Sequence, residues 1–368
     1  MWETNTLVNL LGIKYPIIQA GMAGGATTPE LVAAVSNAGG LGTLGAGYLS
    51  PHAIREAVRE IRRLTDKPFA VNLMVTEPAS ADRDAIDKMQ GILKRFEKDL
   101  GEPFSFENLS LDPQPFEEQL EIVLDEKVPV FSFTFGIPKP FWLEKLKANG
   151  TVIIGTATNV QEGLALERAG VNAIVAQGSE AGGHRGTFFK NAENEGIGTM
   201  ALIPQMVDRV KLPVIASGGI MDGRGVVASL ALGAAGVQMG TAFLTSEESG
   251  IHPVYKEAIR KARDDQTVMT KAFSGKKARG IENQYIRVMR DFEADILPYP
   301  IQNALTKPLR NAAKKHGNKE YMSLWAGQAA SLSQNAPAKQ IVENVVRDVE
   351  RVLGILSAMH ASSHLPKA

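Results

Sequence analysis

One histidine set among glycines is the strongest chemical signal in the chain. Residues Gln177 to Gly186 read Gln-Gly-Ser-Glu-Ala-Gly-Gly-His-Arg-Gly, with Gly182-Gly183 just before His184 and Gly186 just after Arg185. Glycine lets a ligand approach the main chain closely. Imidazole is the side chain that exchanges a proton most readily near neutral pH. The pattern suits an imidazole aimed at a ligand lying against backbone. A Gly-rich turn carrying a surface histidine is the plainer reading of the same decapeptide.

Two further glycine clusters suit phosphate. Ser217-Gly218-Gly219-Ile220 and Gln238-Met239-Gly240-Thr241-Ala242 each end a short apolar run. Gly218, Gly219 and Gly240 would bare backbone N–H groups, and Thr241 adds a hydroxyl. Asp222 can cap a helix starting near Gly225, leaving the positive end of that helix near the phosphate. Glycines that only permit tight turns are the alternative. Asn72 and Gln177 sit at the ends of two other apolar runs. A buried amide without partners costs roughly 1–3 kcal/mol. Each therefore serves either the edge of a heteroaromatic ring or the neighbouring backbone. Ala20-Gly21-Met22-Ala23-Gly24-Gly25 is small enough for a flat ring to lie over it, with Met22 packed against that ring.

Composition removes several classes. There is no cysteine, which excludes disulfides, thiolate metal sites and a cysteine nucleophile. Lys plus Arg and Asp plus Glu are 40 each, so no basic excess points to nucleic acid. His52, His252, His316, His360 and His364 show no metal spacing, and no metal is expected. Met1-Trp2-Glu3-Thr4-Asn5 does not open a secretory signal, and no apolar run reaches the roughly 18 residues of a membrane span. A cytoplasmic protein with no membrane partner is expected. The oligomeric state stays open, a homodimer included.

The elements that must position these residues alternate as in an eightfold β/α barrel, over about 250 residues. Strands are expected at Pro16–Gln19, Leu41–Leu44, Phe69–Leu73, Val128–Phe133, Val152–Gly155, Ala173–Ala176, Pro213–Ala216 and Val237–Met239. Several are continuously apolar, as strands of a parallel sheet are when both faces are covered. Helical patterns lie between them, at Pro29–Asn37, Pro51–Leu64, Phe116–Glu126, Pro140–Ala148, Val160–Arg168, Leu202–Val210, Gly225–Leu232 and, last, Pro253–Ala262. A weak repeat places glycine between helix and strand at Gly39, Gly170 and Gly236, where it would be a left-handed helix C-cap. The expected division is a barrel over residues 1–263, with an insertion after the third strand at about 76–115, helical at Asp82–Lys98. A helical region over 264–368 would pack on the barrel, with an amphipathic helix at Ala338–Leu356 and a frayed end at Ser362–Ala368.

The chain resembles the nitronate monooxygenases, formerly 2-nitropropane dioxygenases, of the flavin-dependent TIM-barrel type. The likeness rests on Pro16 to Met22, Ala38 to Gly42, Val71-Asn72-Leu73, Gly155 to Thr158, Gln177 to Gly186, Ala216 to Ile220, Asp222 to Gly225, and Gln238 to Thr241, all in order. The insertion and the C-terminal third match only in general character. The resemblance implies FMN as cofactor, with Asn72, Gln177, Gly182, Gly219, Gln238, Met239, Gly240 and Thr241 on cofactor-contact positions and His184 as catalytic histidine; Met22 and Gly218 join the expected cofactor site from the reading of their own loops. It implies oxidation of alkyl nitronates, such as propionate 3-nitronate, by O2 to a carbonyl compound and nitrite. The flavin would carry the redox chemistry. His184 would hold the anionic nitro group, or remove the α-proton of a neutral nitroalkane. An enoyl-acyl-carrier-protein reductase or an NAD(P)H:quinone reductase on the same scaffold is the competing reading. A flavin-binding protein without turnover is the third, and the intact His184 argues against it.

Overall fold

The computed structural model describes residues 2–107, 109–111, 115–189 and 196–363, with side chains to 360. The barrel strands are β1 (Ile17–Gln19), β2 (Gly42–Gly45), β3 (Phe69–Met74), β4 (Val130–Thr134), β5 (Val152–Ala157), β6 (Ala173–Gln177), β8 (Val214–Ser217) and β9 (Gly236–Met239). They run parallel in the order β1-β9-β8-β6-β5-β4-β3-β2. Ile18 bridges Leu41, so β1 also meets β2 and the ring closes. The architecture is the expected (β/α)8 barrel, and all eight expected strands are present within a few residues. Leucine, isoleucine and valine fill both sides of these strands because both sides are covered. Ile18, Leu41, Ala70, Val130, Ile154, Ala173, Val175 and Ile215 face the barrel axis. Ile17, Leu44, Phe69, Val71, Phe131, Phe133, Ile153, Ile174 and Val237 face the surrounding helices.

Three elements depart from the sequence reading. A helix at Thr6–Leu11, capped by Asn5, packs Leu7 and Leu11 with the axial residues. Its six residues are too short for a periodic signal. The repeat places the left-handed glycine correctly at Gly39 and Gly170, but in the third unit that residue is Gly233 (φ 95°) and Gly236 lies inside β9. The eighth barrel helix is not Pro253–Arg260. The helix Ala338–Ser363 packs against Gly223–Ala231 and Pro29–Asn37 and closes the ring, with Ala338, Ile341, Val342, Val345 and Val349 in the barrel core. The Glu248 carboxylate accepts from Ala338 N at 2.9 Å, a negative charge on a helix start. In the frayed-end expectation, 362–363 continue this helix and 364–368 lie outside the described residues.

The rest of the chain forms a cap with its own core. The insertion folds as Arg83–Lys94 and Glu97–Leu100, and its Met89, Ile92, Leu93 and Phe96 pack with Phe273, Tyr285, Ile301, Leu309 and Tyr321. Pro253–Arg260 belongs to this layer through Ile259. The region expected to be helical also holds two strands, β10 (Thr267–Thr270) and β11 (Ala278–Ile281). They form a small antiparallel sheet with β7 (Gly183–His184), the end of the glycine-rich decapeptide. Among the described residues no helix is long and apolar enough to cross a membrane.

Candidate active site

The C-terminal ends of the strands open into a cavity of about 310 Å³ between barrel and cap. The barrel fold puts active sites on this face. Met22, Asn72, Gln177, Gly182, His184, Gly218, Gly219, Gln238, Gly240 and Thr241 all line the cavity. Met239 does not. Strand alternation turns its side chain into the barrel core, where it is 1% exposed.

The phosphate-type loops keep bare donors. Gly219 adopts φ 71°, in the left-handed region, and its N–H has no acceptor among the described residues. The same holds for the N–H groups of Gly240 and Thr241. The Thr241 hydroxyl accepts from Gly327 N at 3.0 Å, which leaves its proton free to donate outward. Asp222 caps the helix Gly223–Ala231 as expected. The start of that helix, however, abuts the C-terminal helix, since a Cβ on Gly223 would meet Val349 N at 2.3 Å. Asp222 and Gly223 are not on the cavity wall.

The two amides differ. Asn72 donates to Ser132 Oγ at 2.9 Å, and its carbonyl oxygen has no partner among the described residues. Gln177 is largely spent on backbone. It donates to His184 O at 3.0 Å and accepts from Gly186 N at 2.8 Å, cinching the decapeptide. Arg185 is buried beneath the loop and donates to Gln177 O at 2.9 Å and Gly178 O at 2.7 Å. Arg279 donates to Ser179 O from the β11 side.

His184 is therefore held as a strand residue, paired with Ala278 of β11. Its Nε2 is 2.8 Å from Ser274 Oγ. Its ring meets those of Phe135 at 5.7 Å, Tyr299 at 6.1 Å and Trp325 at 5.5 Å between centroids. The open part of the ring faces the cavity rather than bulk water. Burial, then the charges of Lys276 and Arg310, pull its pKa down to about 3. The imidazole is neutral across the physiological range.

Arg310 is the wall residue that sequence reasoning missed most completely. Its Nε donates to Thr306 Oγ1 at 3.2 Å, and one terminal nitrogen donates to Asn303 O at 2.6 Å and Oδ1 at 3.1 Å. The other terminal nitrogen has no hydrogen-bond partner among the described residues, and no carboxylate there reaches the guanidinium. Burial pulls its pKa below the usual value. Tyr48 stands beside it on the cavity wall and Tyr299 behind, their pKa values pushed up chiefly by burial, so both keep their protons. Tyr299, Asn303 and Arg310 come from a segment with no glycine motif or strand period. The one available signal was an arginine within an otherwise core-forming helix, Lys307–Lys315.

Comparison with known proteins agrees with this geometry. The family model described as nitronate monooxygenase matches residues 4–348. A probable nitronate monooxygenase of Staphylococcus saprophyticus is 48% identical over 349 residues, covering 94% of this chain and 98% of that protein. Among solved structures, nitroalkane oxidase from Streptomyces ansochromogenes superposes with a TM-score of 0.88 at 36% identity, covering 96% of this chain and all of that one. FabK from Thermotoga maritima follows at a TM-score of 0.77 and 35% identity, covering 97% and 99%. The family match spans nearly the whole chain. The chain belongs to the nitronate monooxygenase family, flavin-dependent oxidoreductases that act on nitronates.

Proposed function

We propose that the chain holds FMN across the barrel mouth and oxidises an alkyl nitronate bearing a second anionic group, such as propionate 3-nitronate, with O2, to a carbonyl compound and nitrite. The observation that carries this reading is a histidine and a half-buried arginine without a carboxylate partner, both lining one cavity. Bare N–H groups at Gly219, Gly240 and Thr241, with the Thr241 hydroxyl, fit a single phosphate. Asn72 offers an unpartnered carbonyl oxygen to a ring edge. Gly21 to Gly24 give a flat floor beside Met22. When bound, the flavin supplies the electron-transfer chemistry.

The protein's own residues bind, orient and move the proton. For a neutral nitroalkane, His184 takes the α-proton: the C–H bond breaks, the proton joins an imidazole nitrogen, and the electron pair passes to the nitro group. A neutral imidazole is the form able to do this. A half-buried guanidinium without a carboxylate partner carries a desolvation cost, and an incoming carboxylate offsets it. Arg310 therefore selects nitronates with a carboxylate at the far end, helped by the Tyr48 hydroxyl. Phe135, Tyr299 and Trp325 shield the histidine edge from water.

Anaerobic mixing of the yellow protein with a nitronate, and separately with NADH and NADPH, tests the reading. Bleaching by the nitronate alone supports it. Bleaching by a nicotinamide alone would replace it with a reductase on the same scaffold.

A further inference from the structure

Ser274 is the polar neighbour of the His184 ring, and no motif or spacing marks it in advance. It lies between β10 and β11 and is 1% exposed. Its place is fixed from three directions. Gly275, at φ 82°, lies so close to the 297–299 backbone that a Cβ would meet Leu297 O at 2.2 Å. Tyr285 and Gln302 donate to Ala272 O at 3.1 and 2.9 Å. Thr306 donates to Phe273 O at 2.5 Å. The two residues before Ser274 are thus tied down by buried side chains of the cap core.

The Ser274 hydroxyl has one proton and two acceptor positions. It donates to Lys276 O at 3.0 Å and accepts from Lys276 N at 3.3 Å, closing a tight turn. With its proton spent there, Oγ meets His184 Nε2 as an acceptor, at 2.8 Å. The ring proton is then on Nε2. The opposite tautomer would put a proton on Nδ1, which has no acceptor among the described residues. A half-buried donor left unmade costs about 1–3 kcal/mol.

We propose that Ser274 is the positioning residue that fixes His184 as the Nε2–H tautomer, so that the imidazole meets its ligand with the bare Nδ1. This rests on the nitronate-oxidising reading for the identity of the ligand, and not for the tautomer itself. Nδ1 is then the base that receives the α-proton of a neutral nitroalkane. The imidazolium so formed donates its Nε2–H to Ser274 Oγ, whose own O–H donates to the Lys276 carbonyl, a polarised chain that steadies the new charge. A carboxylate in place of this serine would hold the same tautomer, but would also raise the histidine pKa. A neutral hydroxyl orients the ring without doing so.

The test uses the flavin-loaded protein labelled with 15N-histidine. In wild type, the nitrogen spectrum should assign His184 as the Nε2–H tautomer at pH 7. Ser274→Ala should give a mixture of tautomers. The same variant should lose about ten- to a hundredfold in kcat on a neutral nitroalkane, less than the 10²–10⁴ of general-base catalysis itself. Its KM should change little, and its kcat on a preformed nitronate should fall less. Ser274→Thr, which keeps a hydroxyl, should restore most of the loss. An Nδ1–H tautomer in wild type overturns the proposal. So does a Ser274→Ala protein with unchanged kcat on the nitroalkane. If wild type turns over neither substrate, the nitronate reading fails, while the nitrogen spectrum still decides the tautomer. If Ser274→Ala does not fold, the wild-type spectrum and Ser274→Thr decide.

Discussion

The two walls of the cavity are built on different physical plans. The barrel wall is mostly backbone: glycines at 218, 219 and 240 present N–H groups, and the first strand ends in a floor of small residues. The cap wall is mostly side chain: Phe273, Asn303, Arg310 and Trp325. His184 belongs to both. Its chain segment leaves barrel strand β6, yet the strand it pairs with and the hydroxyl it bonds come from the cap. Backbone recognition suits a group common to many proteins, such as a phosphate. Side-chain recognition suits a substrate particular to one of them. The difference implies that barrel changes should act through the cofactor, and cap changes through the choice of substrate.

The largest effect should come at the point where the walls meet. His184→Ala should keep its flavin and lose about 10²–10⁴-fold in kcat/KM on a neutral nitroalkane, with a smaller loss on a preformed nitronate. Steady-state rates on both substrates check this. Equal rates to wild type on both would remove His184 from the chemistry.

A barrel change comes next. Gly240 has φ −104°, and a Cβ there would meet only Ala20 Cβ and Met22 Sδ, both at 3.6 Å. Gly240→Val is thus tolerated by the fold and places its bulk where a phosphate would approach. FMN affinity should fall about a hundredfold, as two charge-assisted hydrogen bonds are lost. The melting temperature of the flavin-free protein should hardly move. Gly219 makes a poorer probe, because its positive φ strains any side chain. Full flavin occupancy in Gly240→Val would break the assignment of phosphate to this wall.

The contrast between the walls also explains what was legible in the sequence. Strands buried on both faces leave continuous apolar runs, so β3, β4 and β5 announced themselves. Glycines needed for close approach leave clusters, so residues 177–186, 217–220 and 238–241 were readable. Met239 was swept into the site by its neighbours, although strand alternation turns it away. Arg185 is held by carbonyls of its own loop, a contact that no spacing signals. The cap segments have no period: β10 and β11 are four residues each, and Ser274 beside His184, and Asn303 and Arg310 on the cavity wall, take their places only through long-range packing. The same blindness misplaced the eighth helix. Pro253–Arg260 follows β9 in sequence, but the helix that fills that place arrives from Ala338 onward.

A cap change should alter selectivity rather than flavin binding. Arg310→Met should lower kcat/KM about tenfold for a carboxylate-bearing nitronate, near the lower end for a charged hydrogen bond. An uncharged alkyl nitronate of similar length should be handled about as well as by wild type. The ratio of the two substrates, measured for both proteins, is the decisive quantity. An equal loss on both would assign Arg310 to the architecture of the wall.

The smallest effect is on stability, and it follows from the cap closing over His184. Its pKa is about 3 when folded and near 6.5 when the chain is open. The causes are burial first, then Lys276 and Arg310, while neighbouring Tyr48 and Tyr299 stay uncharged. The stability due to the neutral imidazole is fully present above pH 6.5. As pH falls towards 3, the unfolded chain gains a proton that the folded one refuses, and that stability is lost. At pH 5 the loss amounts to about 2 kcal/mol. For a chain of this length that is about 3 °C in Tm. His184→Ala removes the group, so its Tm should fall less between pH 7 and pH 5 than the wild-type Tm does, by about that amount. The comparison is between two slopes, so the packing lost with the ring cancels. Equal slopes would mean that His184 titrates alike in both states, and that the cap leaves it open to water.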